Sequence, residues 1–249
     1  MGKVIVQSHT TKYPLQLIGE EAGICWGATT TDLDKNIARG ESCLASGHMR
    51  TAEYPQIYLI LDGYSARVIR ELYTHIAGGP TRLQASTRYI DYNNFNVIKP
   101  ASVKTEDQEY LWSKCINTIK YTYEKLNESG MPKEDIANLL PLGMETKIVL
   151  RTNLRNLIDM SHQRLCTRAY WEFRQLMKDI MKALCEYSNE WEIIVKEYFK
   201  PKCEVCGFCT EGRSCHKKPT KEEFETILWH GQNALYPIER ELDPNKTMN

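Results

Sequence analysis

The chain has 249 residues with 32 Lys plus Arg against 32 Asp plus Glu, so its formal net charge at pH 7 is +0. A neutral chain has no global field to recruit nucleic acid or an anionic membrane surface, and any anion site must be built locally. No run approaches the ~20 apolar residues of a membrane span, and the opening MGKVIVQSHTTKYP lacks the apolar stretch and cleavage site of a signal peptide, so a cytoplasmic protein is expected.

Residues 3–8 (KVIVQS) read as an opening strand. Leu15, Leu17, Ile18, Ala22 and Cys25 recur at helical spacing over residues 15–26. Thr31 and Asp32 supply N-cap chemistry for a second helix that runs to Ser46 and is stopped by Gly47. A polar connector, residues 47–54, leads into residues 56–61 (QIYLIL), whose composition predicts a strand ended by Asp62-Gly63. Residues 65–73 place Val68, Ile69 and Leu72 on one side and Arg67, Arg70 and Glu71 on the other, predicting a short helix that delivers His75 to the turn Gly78-Gly79-Pro80.

Residues 105–127 carry a capping box, Thr105 to Gln108, and an apolar stripe of Leu111, Cys115, Ile119, Tyr123 and Leu126. A short helix over 133–139 and a strand over 145–152 (ETKIVLRT) follow. Residues 153–164 and 167–187 read as two helices or one bent one. In the first, Leu154, Leu157, Ile158 and Leu165 form the buried stripe and Arg155, Asp159 and Gln163 the polar face; in the second, Phe173, Leu176, Met177, Ile180 and Leu184 face inward. A helix over 190–199 and a last short one over 221–229 precede a polar tail.

The densest chemistry lies in residues 74–92 (THIAGGPTRLQASTRYIDY), where Arg82, Gln84, Ser86 and Arg88 alternate. In an extended chain all four project from one face. Forked guanidinium donors and a hydroxyl suit phosphate or carboxylate, and an amide reads a pyrimidine edge. The plainer alternative is a polar edge strand after a Gly-Pro turn. There is no P-loop and no Gly-x-Gly-x-x-Gly, so a nucleotide cofactor here does not sit in a Rossmann fold.

Nine Cys in a chain without a secretion signal argue against a disulfide framework. Cys25, Cys43, Cys115, Cys166 and Cys185 stand among apolar neighbours and are expected as small buried hydrophobes. Cys203, Cys206, Cys209 and Cys215 are crowded together at spacings that suit zinc or an iron-sulfur cluster, the alternative being reduced or partly disulfide-bonded Cys in a C-terminal extension.

Three segments in order resemble the flavin-dependent thymidylate synthases: Gly47-His48 with Glu53; His75 through Gln84-Ala85-Ser86-Thr87-Arg88-Tyr89; and Leu140-Pro141-Leu142 through Glu145-Thr146 into Asn153-Leu154-Arg155 and on to Arg164. The resemblance implies an α+β fold, a curved, mostly antiparallel sheet flanked by helices in one domain over residues 1–200, with 201–249 as a Cys-rich extension. It implies FAD as cofactor, NADPH and methylenetetrahydrofolate as co-substrates, dUMP as substrate, dTMP as product, and a homotetramer. By position it assigns His48, Arg50, Glu53, His75, Asn153, Arg155 and Asp159 to the cofactor, and Glu71, Arg82, Gln84, Ser86, Arg88 and Arg164 to the nucleotide. Arg164 is the catalytic candidate, the cation beside a uracil ring that loses its N3 proton.

The chain departs from the family signature where Thr74, Ile76 and Ala137 replace Arg residues, with Arg50 and Arg82 available as displaced cations. Without the resemblance, His48 and His75 read as histidines with no function, and Arg155 with Asp159 as a solvated ion pair contributing about 0.3–0.5 kcal/mol. Two further functions fit the residues: an FAD-dependent hydroxymethylation of a pyrimidine nucleotide, and a non-enzymatic metal-binding scaffold built on the Cys cluster.

Overall fold

The computed structural model describes residues 2–235, and side chains through residue 229. Of the polar tail expected after residue 229, residues 236–249 lie outside the described residues. The chain divides after Lys200 into two compact units. The first holds one antiparallel sheet of four strands, β1 (Lys3–Val6), β2 (Gln56–Ser65), β3 (Thr81–Gln84) and β4 (Glu145–Asn153), in the order β1-β2-β4-β3. Its helices are α1 (Pro14–Cys25), α2 (Leu33–Ala45), α3 (Ala66–Leu72), α4 (Glu106–Glu128), α5 (Lys133–Ile136), α6 (Leu154–Arg164), α7 (Trp171–Tyr187) and α8 (Asn189–Tyr198). The second unit holds α9 (Lys202–Cys206) and α10 (Lys221–Leu235). No described helix is long and apolar enough to cross a membrane.

β2 alternates in the way a half-buried strand must: Ile57, Leu59 and Leu61 are fully buried and join Ile148 and Leu150 of β4 in the main core, with Leu15, Ile18, Val68, Ile69, Leu157, Phe173 and Leu176 from the helices. Asp62-Gly63 does not end this strand. Gly63 takes a positive φ of 73°, the register slips there as a bulge, and pairing resumes at Tyr64↔Thr146 and Ser65↔Glu145. A Gly in a strand marks a bulge as readily as a turn, and the apolar Tyr64 beyond it, 2% exposed, belongs to the core.

Two expectations about burial are corrected. The α4 stripe that packs is Trp112, Ile116, Ile119, Tyr123 and Leu126, against Tyr92, Phe95, Ile136 and Met144, while Leu111 and Cys115 are exposed. Two adjacent stripes share the spacing, and the bulkier pair, Trp112 and Ile116, faces inward. Of the five scattered cysteines only Cys43 is buried; Cys25 and Cys115 are exposed, and Cys166 and Cys185 are half-buried. Cys25 closes α1 beyond the buried Ala22, and Cys115 sits one position off the packed stripe. The last helix, expected over 221–229, continues to Leu235.

α1 and α2 pack at a distance set by two glycines. A Cβ at Gly19 would run into the Asn36 carbonyl oxygen, and one at Gly40 into that of Leu15, both backbone atoms that cannot swing away. Ala exceeds Gly by about 1 kcal/mol in helix propensity. Gly40→Ala is nevertheless expected to destabilise the protein by about 1–3 kcal/mol through overpacking. A lower midpoint in urea unfolding checks this, and a raised one would mean the two backbones do not touch here.

Candidate functional site

The site is assembled by the two central strands. Ser65 at the end of β2 caps α3, its Oγ accepting from the Val68 N–H at 3.2 Å, and Asn153 at the end of β4 caps α6, its Oδ1 accepting from the Asn156 N–H at 2.9 Å. Because β2 and β4 are antiparallel, with Gln56 opposite Asn153 and Ser65 opposite Glu145, the helices leave opposite ends of the pair. Seven residues of α3 and eleven of α6 span about 10 and about 16 Å, close in sum to the about 30 Å of the strands. Their C-terminal turns meet.

Arg164, the last residue of α6, closes that meeting. Its Nε donates to His75 Nε2 at 2.9 Å, Nη1 to Glu71 Oε2 at 2.9 Å, and Nη2 to Thr74 Oγ1 at 3.4 Å. The guanidinium lies 4.6 Å over the Phe173 ring, and His75 meets the same ring edge-on at 5.7 Å. All the Arg164 nitrogens are thereby directed, and its side chain remains 20% exposed. As the acceptor from Arg164, His75 carries its proton on Nδ1 and is neutral. Burial, then Arg164 and Arg82, lowers its pKa from 6.5 to about 4. Arg82 donates to the His75 carbonyl oxygen and lies 5.1 Å over the Tyr73 ring, and its buried Nε has no acceptor among the described residues.

Glu71, His75, Arg82 and Arg164 therefore form one cluster. The rest of the alternating set does not join it. Extension stops at Gln84, whose Nε2 reaches Thr146 Oγ1 at 3.4 Å; Ser86 Oγ then accepts from the Arg88 N–H at 3.1 Å, a local turn that ends the alternation. Arg88 pairs with Glu134 at 2.8 Å at the surface.

Of the residues assigned to a cofactor, His75 lies instead in the Arg164 cluster, while the others lie along α6 or at its N-terminal end. Arg155 pairs with Glu53 at 2.6 Å, rather than with Asp159, half-buried one turn further on, and lines a cavity of ≈ 600 Å³ with Arg50, Tyr54 and Gln56. A second cavity, ≈ 400 Å³, shares Arg50 and Tyr54 and adds Trp26, His48 and Met49. Asn153 is 4% exposed and occupied as the α6 cap, with its amide against Gly78. Cys203 and Cys206 lie on α9, Cys209 bridges to Thr220, and Cys215 is in the loop between. Phe173 and Tyr73, the rings under the two guanidiniums, were missed: Phe173 has the spacing of a core residue, and only its place beside a turn of cations marks it otherwise.

A family model described as thymidylate synthase complementing protein matches residues 4–187. The chain belongs to that family. The flavin-dependent thymidylate synthase of Pyrococcus furiosus is 30% identical over 237 residues, covering 87% of this chain and 94% of the relative, and that of Pyrococcus abyssi is 31% identical over 195 residues, covering 74% and 78%. A crystal structure of thymidylate synthase X from Helicobacter pylori with FAD and dUMP is similar in fold, with a TM-score of 0.60 at 18% identity over 79% of this chain and 100% of that one. The α+β architecture expected from the resemblance is therefore the observed one, and family membership favours the enzyme over a non-enzymatic scaffold.

The neutral His75 has a measurable consequence. Its folded pKa of about 4 lies below the ordinary 6.5 of the imidazole, so the unfolded chain takes up the proton first. The stability it contributes is complete above about 6.5 and is lost as pH falls toward about 4. Side-chain NMR should show one imidazole titrating near 4, absent in His75→Gln. A His75 signal with the ordinary pKa would mean Arg164 does not sit on Nε2.

Proposed function

We propose that the chain is a flavin-dependent thymidylate synthase, converting dUMP to dTMP with FAD, NADPH and methylenetetrahydrofolate. The observation that carries this reading is the half-buried Arg164, aimed by Glu71, Thr74 and His75 in a chain of this family. Bound FAD would supply hydride transfer to the one-carbon unit. The residues at the N-terminal end of α6 fit such a group: Arg50 and Arg155 present two cations to its diphosphate, and the exposed rings of Trp26 and Tyr54 suit a flat heterocycle.

At the other end of α6, Arg164 holds positive charge where the pyrimidine ring becomes anionic on losing its N3 proton, which makes C5 electron-rich. His75, being neutral, orients Arg164 without competing for that charge. Arg82, with an unmet donor, is the cation that supports the nucleotide phosphate in place of the Arg residues replaced by Thr74 and Ile76. No Cys takes part in this reading. Arg155 and Arg164 are nine residues apart on α6, about 13 Å. Membership of the family supports sites shared between copies and a homotetramer in the cytoplasm, which a light-scattering mass of a single chain would refute.

Purified protein should take up FAD and change its flavin spectrum when dUMP is added. Arg164→Ala should keep FAD and lose turnover by about 3 kcal/mol, the scale of one missing oxyanion donor. A protein that stays colourless with added FAD sinks the reading, and a nearly active Arg164→Ala sinks the role of this residue.

A further inference from the structure

The second unit poses a physical problem that the enzyme reading leaves open. Among its described residues, 201–229, no side chain is buried. Among these residues Phe208 meets Phe224, ring centroids 5.6 Å apart, with Phe224 also over Gly207. A small unit whose described side chains form no core is ordinarily held by disulfides or a metal. Four cysteines within residues 203–215 supply the ligand set for a metal.

The backbone turns tightly between these cysteines. Cys203 and Cys206 stand three apart on α9 and so share a face of that turn. Gly207, φ 84°, then reverses the chain, its N–H on the Cys203 carbonyl at 3.1 Å. Only a residue without a Cβ enters this left-handed conformation at no cost, and it ends the helix two residues before Cys209. Cys209 is pinned by its N–H to the Pro219 carbonyl at 2.7 Å and by its bridge to Thr220, which closes residues 210–219 into a loop that carries Cys215. All four thiols thus belong to one short stretch closed at both ends.

Charge points the same way. Residues 201–220 hold four cations, Lys202, Arg213, Lys217 and Lys218, against two carboxylates, Glu204 and Glu211. The excess of two positive charges offsets the two negative charges of a zinc(II) ion with four thiolates. We propose that Cys203, Cys206, Cys209 and Cys215 bind one zinc(II) ion, which cross-links the second unit.

Among the described residues no three His, Cys, Asp or Glu side chains stand close enough to hold a metal ion. Cys206 Sγ, for example, is turned to the Lys202 carbonyl at 2.8 Å. The site is therefore completed by the metal: each thiol loses its proton as it binds, the side chains rotate inward, and binding free energy becomes folding free energy for this unit. Its role is structural and does not depend on the flavin reading.

The test is the metal content of the full chain, prepared anaerobically with reduced thiols and titrated with zinc(II), then freed of loose metal on a sizing column. About one zinc per chain is expected, as for a closed four-cysteine site. Cys209→Ser and Cys215→Ser should each lose more than ten-fold in zinc affinity while FAD uptake, which reads the first unit, matches the parent, and Cys43→Ser should retain zinc. Protein that takes up no zinc overturns the proposal. So do zinc retained in both substituted proteins, which would place it elsewhere, and iron with labile sulfide, which would make the site a cluster.

Discussion

The pairing of β2 with β4 is the constraint on which the rest of the protein depends. It fixes two helix starts at opposite ends of one ladder, Ser65 and Asn153, and so fixes where the two helices finish. The start at Ser65 is itself locked: the Glu172 carboxylate of α7, 4% exposed, accepts from the Ser65 N–H at 2.7 Å and from its Oγ–H at 2.6 Å. A buried carboxylate is tolerated because both its oxygens are met. A slip of one residue in the ladder would move the Arg164 end of α6 by about 3.3 Å and turn every core side chain of β2 outward.

The electrostatics follow from this geometry. Two helix C-termini converge, and the partial negative charge of each favours a cation between them. Arg164 occupies that place, with Arg70 and His162 also in the last turns. Glu71 balances the guanidinium and His75 stays neutral, so the cation is held rather than quenched, partly exposed and unable to turn away. Phe173 beneath it removes water from one face and stiffens it further.

How much of this was legible in the sequence depends on whether the signal was local. The cap of α2 at Asp32, the capping box at Thr105 and the strand at residues 145–152 could be read because neighbouring residues determine them. The Gly63 bulge could not, since Asp-Gly has the same local chemistry in a turn and only the partner strand decides. The alternation from Arg82 to Arg88 failed for the same reason: it needed a partner beyond Gln84, and the chain makes a turn around Ser86 instead. The joining of Glu71, His75 and Arg164 over 93 positions is a tertiary fact. No spacing rule anticipates it, although the ordered segments pointed to His75 and Arg164.

The central claim is that this geometry serves transfer of a methyl group to the pyrimidine. Mass spectrometry of the nucleotide after incubation with FAD, NADPH, methylenetetrahydrofolate and dUMP tests it most directly. The account predicts dTMP, formed only when all four are present. Recovery of unchanged dUMP by flavin-loaded protein, or of a hydroxymethyl nucleotide as the final product, would contradict it.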